Sequence, residues 1–183
     1  DLVRVIRTLA GNGATMVQLR IKSLCDRAFL ELANKACPVA KKNGIVFIVN
    51  DRVDIALACQ AHGVHLGQTD MDVISARRIM GDIAIIGASV HTMRQAARAE
   101  KDGADYLGVG AVFPTKTKND ARICGLDTLE SICRNARVPV IAIGGVNDRN
   151  YRSALRRGAA GIAVASYLFE GNMKKRICAL TRK

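Results

Sequence analysis

The chain has 183 residues, enough for one domain with a sizeable core, and a formal net charge of +12. Hydrophobic residues make up 49% and the mean hydropathy is +0.10, which excludes a disordered chain. No apolar run approaches the ~18 residues of a spanning helix and the N-terminus lacks a secretory pattern, so a cytoplasmic protein without membrane partners is expected.

The positive charge attracts anions, but much of it lies in runs such as Lys41-Lys42, Arg77-Arg78, Arg156-Arg157 and Lys174-Lys175-Arg176. These fall within or at the ends of predicted helices, where a solvated outer face is the usual explanation. Aromatic residues are 4% and Trp is absent, so a base-stacking surface is disfavoured and no specific nucleic-acid partner is expected. The six cysteines (Cys25, Cys37, Cys59, Cys124, Cys133 and Cys178) include no Cys-x-x-Cys pair, and most sit in apolar helical stretches. Reduced, mostly buried thiols are expected rather than disulfides or a zinc site.

In chain order, a helix over Leu2 to Ala10 precedes a strand near 15–20. Ser23 with Asp26 resembles a capping box with Asp in place of Glu, and opens a helix to about Lys42 that Pro38 should bend or loosen. A strand near 45–50, a helix over Val53 to Cys59 and a strand near 63–67 follow. Next come a strand near 83–88, a helix over Met93 to Asp102, and strands near 104–110, 138–143 and 160–165. Gly13, Gly44, Gly63, Gly103 and Gly158 each follow a helical stretch, as at a C-cap, and each introduces a short apolar strand.

Apolar strands alternating with helices imply a parallel sheet covered on both faces. Seven strands are predicted, whereas a TIM (β/α)8 barrel requires eight. The missing element is the first strand: either it lies upstream, or the barrel is open at that point. No linker divides residues 1–183, so a single (β/α) barrel domain is expected, with an open doubly wound sheet as the alternative.

In a barrel, active-site residues occupy the C-terminal ends of strands. Those positions are polar here. Gln18, Arg20 and Lys22 share one face by period-two alternation, which suits an anion or a solvated edge. Asn50-Asp51 and Gly67-Gln68-Thr69-Asp70 each precede a helix, so Asp51 and Asp70 are either N-caps or a carboxylate pair for Mg²⁺. Ser89 offers a hydroxyl, Gly144-Gly145 lets a ligand approach the backbone closely, and Ala165-Ser166 ends the last strand. The loop Thr115-Lys116-Thr117-Lys118 after Phe113-Pro114 alternates hydroxyls and ammoniums, which suits phosphate oxygens or a solvated basic turn. His65 reads as a packed core histidine, His62 as exposed, and His91 as better placed for chemistry. The sequence shows no Ser-His or Cys-His nucleophile signature.

Six ordered segments resemble thiamine-phosphate synthase: 17–22 (Val-Gln-Leu-Arg-Ile-Lys), 49–52 (Val-Asn-Asp-Arg), 63–70 (Gly-Val-His-Leu-Gly-Gln-Thr-Asp), 103–108 (Gly-Ala-Asp-Tyr-Leu-Gly), 113–118 (Phe-Pro-Thr-Lys-Thr-Lys) and 143–146 (Ile-Gly-Gly-Val). The resemblance runs from about residue 2 to 170. It implies a transferase of thiamine biosynthesis that joins a hydroxymethylpyrimidine diphosphate to a hydroxyethylthiazole phosphate, giving thiamine phosphate and pyrophosphate with Mg²⁺ as cofactor. The same resemblance implies that Arg20, Lys22, Asn50, Ser89 and Lys118 hold the diphosphate and that Asp51 and Asp70 bind the metal. Gln18, Thr115, Thr117, Gly145, Ala165 and Ser166 would receive the thiazole phosphate. Arg20, Lys22, Ser89 and Lys118 would be catalytic, stabilising the departing pyrophosphate. Partners would be these small phosphorylated substrates, with homo-oligomerisation left open. The alternatives are a thiazole tautomerase-like relative and a non-catalytic barrel that binds phosphate or nucleic acid.

Overall fold

The computed structural model describes residues 1–115 and 123–181. Helices and strands alternate: α1 Leu2–Ala10, β1 Met16–Leu19, α2 Asp26–Lys42, β2 Val46–Asn50, α3 Val53–Ala58, β3 Gly63–Leu66, α4 Val73–Met80 and β4 Ile85–Val90. They continue as α5 Met93–Lys101, β5 Tyr106–Val109, α6 Gly125–Asn135, β6 Val140–Ile143, α7 Tyr151–Arg156, β7 Gly161–Ala163, α8 Ser166–Phe169 and α9 Met173–Thr181. All strands pair in parallel, each with its sequence neighbour, in the order β1 to β7. The order never reverses, which excludes the doubly wound alternative. Among the described residues the sheet is a (β/α) barrel one strand short of eight, with β1 and β7 at its two margins.

Period two splits every strand between two environments. Phe47, Val49, Val64, Leu66, Ile86, Ala88, Val90, Leu107, Val109, Val140 and Ala142 share one apolar cluster with helical residues such as Phe29, Ala33, Ala36, Ala56, Leu129 and Ile132. These side chains face outward to the helices, and full burial of each Leu, Ile or Phe contributes about 2 kcal/mol. The opposite parity carries Gln18, Ile48, Asn50, His65, Gly87, Ser89, Tyr106 and Gly108. Register aligns it across the strands: Asn50 with His65, His65 with Gly87, and Gly87 with Tyr106 and Ser89 with Gly108. Apart from Ile48, this inward row is therefore polar, aromatic with a hydroxyl, or glycine, and the outward row is the core.

Local chemistry differs from the sequence expectation at several points. Gly13, Gly44, Gly103 and Gly158 take positive φ values of 90°, 67°, 95° and 95°, as helix-terminating glycines do. Gly63 does not; Gln60, at φ 54°, makes the turn after α3. Gly63 lies inside β3, where a Cβ would stand 1.8 Å from the Ile85 carbonyl oxygen. The capping box at Ser23 does not form: Cys25 is the N-cap of α2 and makes no side-chain cap bond. Asp26 instead accepts from Arg52 Nη1 at 2.6 Å. Pro38 lies inside α2, which continues through it to Lys42.

The fourth strand begins two residues later than expected, and Ile83 is 98% exposed. The cause is Arg77. Its Nη1 donates to the carbonyls of Gly81, Asp82 and Ala84 at 3.1, 3.3 and 2.6 Å, which holds this segment as a turn. Its Nη2 reaches Asp105 Oδ2 at 2.6 Å, and the same oxygen accepts from Ile86 N–H at 2.7 Å. Arg77 is thus a clamp at the N-terminal ends of β4 and β5, not part of a solvated basic face. Arg157 likewise pairs with Asp127 and Glu130. The cysteines are free thiols, but only Cys37 and Cys59 are buried; Cys25 is exposed and the other three are half-buried. Burial pushes the Cys37 and Cys59 thiols up. No helix among the described residues is long and apolar enough to cross a membrane.

Candidate active site

The C-terminal ends of the seven strands form one mouth, and parity decides which side chains enter it. Gln18 and Arg20 at the end of β1 are half-buried, whereas Lys22, in the following loop, is exposed. Asn50 and His65 are buried polar side chains, and they are register partners on adjacent strands. Burying two such groups side by side is costly without hydrogen bonds, so this is where the fold departs from pure packing.

Neither carboxylate is a helix N-cap. Arg52 caps α3, and Asp72 caps α4 by accepting from Ser75 N–H at 2.8 Å. Asp51 sits between β2 and Arg52 at φ 65°, a left-handed conformation that Asp tolerates better than most residues. Its backbone N–H donates to the His65 carbonyl at 2.8 Å, which ties the end of β2 to β3. Asp70 turns back on its own loop, with Oδ2 accepting from Gly67 N–H at 2.6 Å. The pair comes from adjacent strand ends. No group of three or more His, Cys, Asp or Glu residues poised for a metal occurs among the described residues. Two carboxylates from the protein fit Mg²⁺, which usually completes its shell with water and substrate phosphate.

Arg52 faces away from this site. It forks onto Asp54 at 2.9 and 2.5 Å and pairs with Asp26, holding both carboxyls below the usual range.

His65 is buried as expected, but it is also part of a polar network. Its Nδ1 lies 2.9 Å from the Tyr106 hydroxyl and its Nε2 lies 2.8 Å from Ser89 Oγ. A Ser-His pair is therefore present in space, contrary to the sequence expectation. A separation of 24 positions hid it, although both share the inward parity of neighbouring strands. Tyr106 is the site residue that sequence reasoning missed. Burial pushes its phenol up, and the nearby Gln18 side chain partly offsets this. Its signal was available in the same parity.

His62 is half-buried, not exposed: its Nδ1 accepts from Phe47 N–H at 2.9 Å. His91 Nδ1–H donates to the Gly110 carbonyl, and its backbone N–H donates to Gln95 Oε1 at 2.8 Å. It joins the ends of β4 and β5.

The paired glycines at β6 also make room for a neighbouring loop. Gly144 and Gly145 have φ 89° and 68°. A Cβ on Gly145 would lie 2.4 Å from the Pro114 carbonyl oxygen and 2.7 Å from that of Phe113. Phe113 N–H donates to the Gly144 carbonyl at 3.0 Å. What approaches these glycines is the loop after β5, and they set its path up to the half-buried Thr115. Thr117 and Lys118, with Lys116, lie outside the described residues. Ala165 and Ser166 are exposed at the start of α8.

The fold and this mouth define a (β/α)-barrel enzyme whose polar groups converge at the C-terminal ends of the strands. A family model described as TMP-TENI, thiamine monophosphate synthase, matches residues 1–168, and the chain belongs to that family. It is 41% identical over 178 residues to the thiamine-phosphate synthase of Clostridium tetani, covering 97% of this chain and 85% of that one. It is also 44% identical over 185 residues to the chloroplastic thiamine biosynthetic bifunctional enzyme TH1 of Arabidopsis thaliana, of which it spans 34%. The solved thiamine phosphate pyrophosphorylase of Pyrococcus furiosus superposes with a TM-score of 0.90 at 42% identity, over 97% of this chain and 86% of that one. The enzymes of this family are transferases.

Proposed function

We propose that the chain couples a hydroxymethylpyrimidine diphosphate to a hydroxyethylthiazole phosphate, releasing pyrophosphate and forming thiamine phosphate. The observation that carries this reading is the family match over residues 1–168 joined to a mouth lined by the motif residues at successive strand ends. Arg20, Lys22, Asn50, Ser89 and Lys118 hold the diphosphate. Gln18, Thr115, Thr117, Gly145, Ala165 and Ser166 receive the thiazole phosphate. Asp51 and Asp70 hold Mg²⁺, which when bound neutralises charge on the diphosphate.

Departure of pyrophosphate from a benzylic-type carbon leaves a stabilised carbocation and concentrates negative charge on the leaving group. Arg20, Lys22 and Lys118 offset that charge as it develops, and Ser89 donates a hydrogen bond to it. The thiazole nitrogen then attacks the carbocation, forming the new C–N bond. The protein supplies position rather than a nucleophile, so the Ser89–His65 pair acts in hydrogen bonding. The two substrates meet where the loop after β5 passes the glycines of β6.

Incubating the protein with both substrates and Mg²⁺ tests this directly. Thiamine phosphate and pyrophosphate should appear in equal amounts, and EDTA should abolish both. A folded sample that yields neither product overturns the proposal. Release of product from either substrate alone would favour a tautomerase-like or hydrolytic activity instead.

A further inference from the structure

The inward row contains a continuous line of hydrogen-bonding groups that the reaction above leaves half explained. The Tyr106 hydroxyl meets His65 Nδ1 at 2.9 Å, and His65 Nε2 meets Ser89 Oγ at 2.8 Å. The line runs from β5 through β3 to the end of β4. His65 and Tyr106 are 7% and 8% exposed, so water cannot readily replace either link.

Glycines make the space for it. A Cβ on Gly87 would stand 2.1 Å from Tyr106 Cζ and 2.5 Å from His65 Nδ1, and one on Gly108 would stand 2.9 Å from His65 Cε1. Both glycines lack positive φ values, so backbone freedom does not account for them. They open a slot in which an imidazole and a phenol lie with ring centroids 5.4 Å apart.

Donor counting gives the line a direction. A neutral imidazole has one donor nitrogen and one acceptor nitrogen. If Ser89 is to present its proton to an anionic oxygen, its own oxygen must accept from His65 Nε2–H. His65 Nδ1 is then the acceptor, so the Tyr106 hydroxyl donates to it. Every donor then points toward the mouth. In the reverse direction Ser89 spends its proton on His65 and presents lone pairs to the phosphate, which is repulsive.

We propose that Tyr106 and His65 are positioning residues that aim the Ser89 hydroxyl proton at the diphosphate of the substrate and of the released pyrophosphate. Tyr106 fixes the tautomer of His65, and His65 fixes the proton of Ser89. This inference rests on the proposed coupling reaction for its kinetic arm and on pyrophosphate binding alone for its second arm.

The test combines Tyr106→Phe, Ser89→Ala and the double variant, with thermal unfolding as a control. Tyr106→Phe should lower kcat about tenfold with KM for the diphosphate changed less than threefold, because the aimed proton matters most as charge develops. In the Ser89→Ala background the same change should have less than a twofold effect. Calorimetric titration with pyrophosphate and Mg²⁺ should show the same pattern, with severalfold weaker binding only when Ser89 is present. His65→Gln, whose amide can accept from Tyr106 and donate to Ser89, should retain more activity than His65→Leu. An equal loss from Tyr106→Phe in both backgrounds, or no loss in either measurement, overturns the inference. If the wild-type protein binds pyrophosphate in this Ser89-dependent way but makes no thiamine phosphate, the coupling reaction fails and the positioning role stands.

Discussion

The Asp51 backbone N–H donates to the His65 carbonyl at 2.8 Å, and the same residue holds φ 65°. One residue thus joins two strands while its backbone occupies a region costing roughly 1 kcal/mol for most side chains. The shape of this turn and the charge of the carboxylate are separable. Asp51→Asn keeps a side chain that tolerates the left-handed region but removes the charge. It should leave the melting temperature within about 2 °C, since Asn has the same shape and can keep a hydrogen bond at that position. The Mg²⁺ concentration giving half-maximal turnover should rise at least about tenfold. A large drop in melting temperature, with metal dependence unchanged, would assign Asp51 to structure.

Gly145→Ala should act on one substrate more than the other. The added methyl would meet the Phe113 and Pro114 carbonyls and occupy φ 68°, so the loop carrying Thr115 must move. A cost of about 1–3 kcal/mol is expected from strain and contact together. KM for the thiazole phosphate should rise several times more than KM for the pyrimidine diphosphate. Equal changes in the two would remove Thr115 and its loop from thiazole-phosphate recognition.

How far the sequence reached depends on the kind of signal. Apolar runs and C-capping glycines located all seven strands, because each reports on a few adjacent residues. Sequential strand order, β1 to β7, was not fixed by those runs, which fit a barrel or a doubly wound sheet alike. Less legible were features made by residues distant in the chain. Arg77 reads as half of a basic pair, yet it binds carbonyls from three residues of its own turn and reaches Asp105. The slot at Gly87 and Gly108 needs register across three strands to be seen. Gly63 mimics a helix-ending glycine because Gln60 takes that conformation instead. The lost capping box at Ser23 has the same origin, since Arg52 recruits Asp26 from another helix.

Arg77→Met should separate stability from chemistry. The change removes the ion pair with Asp105 at 2.6 Å and leaves the carbonyls of Gly81, Asp82 and Ala84 to water. Those groups lie at the N-terminal end of the barrel, where conservative loss reads as stability rather than catalysis. A destabilisation of about 2 kcal/mol is expected, reduced from a fully buried value by the partial exposure of the partners. Urea unfolding should show it as a lower midpoint with an unchanged slope. The kcat per folded molecule should stay within twofold of wild type; a larger drop would connect this clamp to the mouth.

Arg52 ties α2 to α3 by charge, and acid should reveal it. Hydrogen bonding to Arg52 holds Asp54 below its ordinary value of 3.8, with burial opposing, and hydrogen bonding plus charge attraction does the same for Asp26. A carboxyl depressed in the folded state stabilises it fully above the unfolded value, and that contribution disappears as pH falls through the folded value. Wild type should therefore melt above Arg52→Gln by a constant margin between about pH 6 and 8, where both states are ionised. Below about pH 4 the unfolded chain takes up protons first, and the margin should shrink toward zero. Thermal melts of the two proteins across this range, at constant ionic strength, give the margin directly. A margin that persists in full at pH 2 would mean that Arg52 stabilises the junction by packing its aliphatic stem rather than by pairing with Asp26 and Asp54.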